Sequence, residues 1–433
     1  MDRKIQTSLI TKTLAVAITA AMASTVQAAS TEQQQIQELR QEVQALKALI
    51  QQQQQVQQQQ QVQIQQVQAQ PAPAAKSASP FSLKSKGGAE VNLYGFVRGD
   101  ANYIVEGADN DFNSVHTSTG AAKDKLRATP KTTRLGLDFS SPVGDRKVGG
   151  KIEVDFAGTN DALRIRHAYL TLDNWLLGQT TSNFLSNHAP EMIDFGTNIG
   201  GGTTRIPQVR YSHKLAPATQ LLVSAEEGNS SAQALKLNDD DELATAGSDV
   251  TYRLPVLTAK LTQGFAEGKG AASARALVEH YKAESGDDKT GWGVAAGVNY
   301  QVAEPLKVSA DVSYVQGNSN YLYGSNSAFY VNPENGDIEQ NEFTAFQVGA
   351  TYKFAPNLRS TLGYGAIFAD DGTDYAVLNR SANEEVYQAW LNFIYSPVKP
   401  VDLGIEYING ERETFAGNKF KDNRFGLMAR YNF

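Results

Sequence analysis

Arginine recurs in the later part of this chain at positions that alternate with apolar residues. The guanidinium is the side chain best suited to grip a carboxylate, because it can engage both oxygens at once. Strand parity puts Arg98, Arg134, Arg164, Arg166, Arg210, Arg253, Arg359, Arg424 and Arg430 on one common face. Arg164 and Arg166 share parity with Leu170 and Leu172, which leaves their direction open. Carboxylates share that face: Asp100, Asp138, Glu153, Asp155, Asp311, Asp402 and Glu406. One reading is a self-neutralising polar wall. In the sharper reading the arginines gather on the first, second, fourth and sixth strands, so one quarter of the wall is basic and would hold an anion. Residues 181–204 follow the fifth strand and contain Pro190, Gly196, Gly200, Gly201 and Gly202, with Arg205 at the exit. That composition suits a loop folded back on itself as a constriction, against the plainer alternative of a surface loop.

Other chemistries find little footing. The chain has no cysteine, which excludes disulfides, thiolate metal sites and a cysteine nucleophile. Its five histidines, His116, His167, His188, His213 and His280, show no ligand spacing. His167 and His213 have outward parity, and a lipase on that face would also need a serine beside them with a carboxamide or carboxylate behind. The acidic run Asn238–Glu242 lacks the spacing of a calcium loop and reads as a solvated tip, bridged through divalent ions to anionic lipopolysaccharide. No cofactor, metal or enzymatic activity is expected, and a net charge of −7 argues against nucleic acid.

The elements that must carry these arginines alternate with period two from Ala89 to Phe433. Val91, Leu93, Gly95 and Val97 share one face, opposite Asn92, Tyr94, Arg98 and Asp100. Leu135-Leu137-Phe139, Ile152-Val154-Phe156 and Phe425-Leu427-Ala429-Tyr431 repeat the pattern. A face this charged, opposed to one capped by aromatics, fits lipid-facing strands around a lumen better than a soluble sandwich. The mean hydropathy of −0.38 does not count against this, since only alternate residues meet lipid. Short turns are expected at Ser141-Pro142, Leu215-Ala216-Pro217, Leu254-Pro255, Glu304-Pro305, Ala355-Pro356 and Ser396-Pro397, with long loops between. The count is sixteen antiparallel strands if the alanine-rich stretch 271–284 is a helical insertion, and eighteen if it is strand.

Upstream, residues 1–28 have the basic start, apolar run and small-residue cleavage site of a signal peptide. Residues 29–69 are glutamine-rich. Within them Ile36, Leu39, Val43, Leu46 and Ile50 trace a heptad seam for two or three helices, against a reading as polyglutamine disorder. Residues 70–88, with Pro71, Pro73 and Pro80, form a linker that is neither helical nor core-forming.

Val91-Asn92-Leu93-Tyr94-Gly95-Phe96, Thr133-Arg134-Leu135-Gly136, Arg166-His167-Ala168-Tyr169-Leu170 and Pro207-Gln208-Val209-Arg210-Tyr211-Ser212 resemble strand signatures of general trimeric porins. The terminal Ala429-Arg430-Tyr431-Asn432-Phe433 does too. With its glutamine-rich segment the chain most resembles the DcaP-like porins. The resemblance implies a sixteen-stranded, all-β transmembrane barrel preceded by a periplasmic coiled coil. It implies a homotrimer in the outer membrane of a Gram-negative bacterium, passing dicarboxylates and related small anions. It also places Arg134, Arg166 and Arg210 on the basic side of the constriction, where Arg98 and Arg205 join them. Arg164, Arg253, Arg359, Arg424 and Arg430 are further lumen positions. Phe96 departs from the pattern, standing where general porins often carry lysine. A weakly selective porin and a structural tether built on the coiled coil are the alternatives.

Overall fold

The computed structural model describes residues 82–84, 88–228, 230, 232–237, 243–246 and 250–433. The expected signal peptide, the coiled coil, the acidic tip and most of the linker lie outside the described residues.

Sixteen long strands form among the described residues. They are β1 (Glu90–Gly107), β2 (Ala122–Thr129, resuming as Arg134–Val143), β3 (Arg146–Asp155), β4 (Arg164–Leu172), β5 (Trp175–Thr181), β6 (Arg205–Ala216), β7 (Thr219–Glu226) and β8 (Val256–Phe265). They continue as β9 (Gly270–Ala283), β10 (Asp288–Ala303), β11 (Leu306–Gln316), β12 (Glu342–Ala355), β13 (Leu358–Ala369), β14 (Asn383–Val398), β15 (Val401–Thr414) and β16 (Asn423–Asn432). Neighbours pair antiparallel, and β1 pairs with β16 from Phe96↔Asn432 to Glu106↔Asn423, which closes the barrel and leaves no long free edge. Tight turns such as 144–145 and 356–357 join strands at one end, and the long loops gather at the other.

Burial follows the pleat. On β1, Arg98, Asp100 and Asn102 point inward and are buried, whereas Val97, Tyr103 and Val105 are exposed on the outer face. Outward aromatics flank this apolar surface. Phe265 stacks on Tyr300 toward the short-turn end, and Trp292 packs on Tyr314 toward the other. An apolar outer wall with aromatic rims is a surface built for lipid. No helix among the described residues is long and apolar enough to cross a membrane.

Two expectations need correction. The stretch 271–284 is not helical: it forms β9, and the count remains sixteen. Its alternation is real, with Ser273, Arg275 and Glu279 buried inside, but alanines 272, 274 and 276 occupy the outer face and disguise it. Leu254-Pro255 closes the long loop between β7 and β8 instead of making a short turn, and Ser396-Pro397 lies within β14 at a register shift that accommodates a proline. Within the expected linker, Ser82–Lys84 is a short exposed strand paired with Asn92–Glu90 of β1.

The lumen is half filled. Val256, Leu277, Val315, Phe343, Ile367 and Val386 point inward from β8 to β14 and pack against Phe184, Leu185 and Ile199. Val115 from loop 108–121, with Tyr321 and Leu322 from loop 317–341, completes this buried apolar cluster. The cluster thus occupies the side of the lumen walled by β8 to β14.

Candidate functional site

Loop 182–204, here L3, enters the barrel as its glycines suggested. Its backbone is held from almost every side. Glu406 of β15 accepts hydrogen bonds from the Ile193 and Asp194 amides at 2.9 and 2.8 Å. Gln347 of β12 donates to the Ile199 carbonyl at 3.0 Å, and Asn392 and Trp390 of β14 donate to the Glu191 carbonyl at 3.0 and 3.1 Å. Lys260 of β8 reaches the Leu185 carbonyl at 2.8 Å, and Arg275 of β9 reaches that of Phe184 at 3.2 Å. Gly200 has a φ of +80°, and a Cβ there would collide with the Phe346 carbonyl of β12. Asn299 donates to Nδ1 of His188, so Nε2 is left as the donor to Ser273. Burial, with Arg275 and Lys260 nearby, pushes the His188 pKa down to about 4 and keeps the ring neutral. Burial pushes Asp194 up to about 6.

The basic wall stands where the dry core does not reach. Arg134 on β2, Lys151 on β3, Arg164 and Arg166 on β4, and Arg210 on β6 share it with Asp138, Glu153 and Asp155. Arg164 and Arg166 both belong there because of a bulge. Ile165 lies opposite Val154 and His167 opposite Glu153, so Arg166 is the extra residue of β4. One inserted residue re-aims the side chains beyond it on the strand. Thus Arg164 bonds Asp155 at 2.7 Å, while Arg166 bonds Glu153 at 2.8 Å and Asp155 at 2.9 Å. The same bulge turns His167 inward, correcting its expected outward role: its Nδ1 lies 2.9 Å from Thr180 and its Nε2 3.8 Å from Glu153. His213 does face outward, exposed and stacked on Tyr211.

Three guanidiniums on this wall are incompletely matched. Arg134 Nε is buried and lies 3.3 Å from the Glu153 carboxylate, an ion pair that does not reach hydrogen-bond geometry. Arg210 bonds only neutral acceptors, Gln208 at 2.9 Å and the Thr181 carbonyl. Arg205, at the first residue of β6, lies among Arg134, Arg164 and Arg166 and has no hydrogen-bond or ion-pair partner among the described residues.

The remaining arginines do other work. Arg98 is buried, bonded to Asp100 at 2.5 Å and to the Ile193 carbonyl of L3 at 2.5 Å. Arg359 bonds Glu191 of L3 at 2.7 Å. Arg424 is fully buried with Asp422 and holds the carbonyls of Ala108 and Asn110 in the first long loop. Arg430 bonds Asp402 and faces the ring of Phe96, which lies between it and Arg134 at 5.7 and 5.0 Å. Arg253 is not on the inner wall; it is exposed in the loop before β8. Alternation puts Lys151 on the polar face with Glu153 and Asp155, but it was not singled out as a site residue, and Lys260 and Arg275 were missed. Parity would have found Lys260, whereas Arg275 was hidden by reading β9 as helix.

A family model described as "DcaP outer membrane protein" matches residues 15–433. Among solved structures the outer membrane channel DcaP of Acinetobacter baumannii is 66% identical with a TM-score of 0.76, over 81% of this chain and 99% of that one. OmpT of Vibrio cholerae, at 14% identity and a TM-score of 0.51, covers 81% of this chain and 99% of its own. An anion-selective porin from Comamonas acidovorans, at 12% and 0.53, covers 80% and 100%. These last two share the fold. No curated protein matches the chain.

Proposed function

The chain belongs to the DcaP outer membrane protein family and is a passive outer-membrane channel, and from that premise we propose that it favours small anions, dicarboxylates among them. The observation that carries this reading is the set of under-matched guanidiniums, Arg134, Arg205 and Arg210, beside a lumen that L3 and the dry core narrow from the opposite side. Unpaired guanidinium donors are stabilised by an anion that supplies the missing acceptors. Two of them can take the two ends of a dicarboxylate. We read the molecule as a diffusion channel without catalytic activity, assembled as a homotrimer in lipid and lipopolysaccharide, with the glutamine-rich segment as a periplasmic coiled coil. A solved form of the Vibrio cholerae OmpT, which shares the fold, is a trimer. The test is the reversal potential across a planar bilayer in a potassium chloride gradient. Chloride preference, with current block by succinate, is expected. A preference for potassium without block would make this a general porin.

A further inference from the structure

One large apolar side chain of L3 is left uncovered inside the barrel. Phe184, Leu185, Ile193 and Ile199 are almost fully buried, whereas Phe195 keeps 40% of its surface exposed. Its position is fixed, since the flanking Asp194 amide bonds Glu406 and the Gly196 amide bonds the Asp194 carboxylate at 2.7 Å. The ring meets Phe112 of the first long loop, with centroids 6.1 Å apart and planes tilted by 59°. Arg98 lies 4.5 Å from the Phe195 centroid and Lys131 lies 5.8 Å from that of Phe112. Each of the two joined rings thus has a cation over it. They sit directly above the basic wall, because Phe96 is opposite Arg134 and the Arg98 amide bonds Thr133 at 3.1 Å.

We propose that Phe195, with Phe112 beside it, is a specificity determinant that selects organic anions by their hydrocarbon body over inorganic anions of equal charge. This rests on the anion reading of the wall. Arg98 is already committed to Asp100 and to L3, so it is a fixed cover over one face of Phe195, and the rest of the ring, still exposed, is what a solute meets. Apolar surface in contact with water is relieved only when something apolar covers it. Sulfate or chloride cannot cover a ring, and a chain of methylenes can. A dicarboxylate held by a guanidinium of the wall would lay its spacer against Phe195.

The experiment compares block of single-channel current by malonate, succinate, adipate and sulfate in the wild-type channel and in Phe195→Ser. Block should tighten about twofold per added methylene in the wild type, roughly half the effect of burying a methylene fully. Phe195→Ser should flatten that series, leave sulfate block unchanged and keep the chloride-to-potassium preference. Phe112→Ser is the second variant and should weaken the slope without abolishing it. Strand content by circular dichroism and heat-modifiable gel mobility report that each variant is folded. A chloride-selective wild type with a flat series overturns the aromatic contact alone. So does a steep series that survives in Phe195→Ser. A wild type that prefers potassium overturns the anion reading and this inference with it.

Discussion

A guanidinium already bonded to a carboxylate has little left to offer a passing anion, so at the scale of single residues partners matter more than position. A unit charge pair about 4 Å apart is worth about 4 kcal/mol at an effective dielectric near 20. Water in the lumen and the neighbouring carboxylates reduce this to the order of 1 kcal/mol per contact. Two contacts then give roughly ten- to hundredfold enrichment over a neutral solute, weak enough for release. We predict that Arg134→Ala combined with Arg210→Ala shifts the reversal potential toward potassium and removes succinate block. Arg359→Ala, whose partner is Glu191, should leave the ion preference nearly unchanged and should instead raise current noise as L3 loosens. A second prediction uses Glu153, which takes Arg166 at 2.8 Å and Arg134 at 3.3 Å and accepts a hydrogen bond from Tyr94 at 2.8 Å. Glu153→Gln keeps the shape and removes the charge, so chloride preference and succinate affinity should both rise several-fold. Unchanged affinity in that variant would mean that the wall does not touch the solute. Both effects should fade near 1 M salt, where screening acts over ~3 Å.

Among the elements, L3 shows what sequence can and cannot disclose. Gly196, Gly200, Gly201 and Gly202 revealed a loop able to approach other backbone closely, and Gly200 does so against Phe346. The acceptors and donors that seat it, Glu406, Gln347 and Asn392, come from strands far along the chain, and no local pattern connects them. β4 failed to read for a different reason. A bulge shifts parity midway, so alternation placed Arg164, Arg166 and the leucines on one face although His167 sits opposite Glu153. β9 failed because alanine on a lipid-facing side carries too weak a hydropathic signal. We predict that Gly200→Ala leaves strand content by circular dichroism intact and displaces L3. The channel should show larger and noisier unit conductance, with weaker succinate block. Quiet wild-type currents in that variant would show that the loop can yield around a methyl group at no functional cost.

At the scale of the whole molecule, the described barrel is held together by its own strands and loops. Closure by β1 and β16, the apolar cluster from β8 to β14 and the docking of L3 all arise within residues 90–433. The strand Ser82–Lys84 extends β1 below that closure and is the last part of the preceding segment to join the sheet. Among the described residues, the hydrogen bonds that close the barrel and seat L3 lie within residues 82–433. A heptad segment tethered to each barrel acts by raising the local concentration of its partners, an effect that strengthens assembly without adding a contact inside any one protomer. We predict that deleting residues 31–69, with Ser82–Lys84 retained, yields barrels that fold, insert and conduct with wild-type selectivity. They should still migrate as trimers on unheated gels, and loss of the proposed helical tether should make them dissociate at lower temperature or on dilution. The measurement is gel mobility against temperature, read together with unit conductance in bilayers. A truncated chain that cannot insert, or that inserts only as monomers, would assign the coiled coil an obligatory part in building the channel.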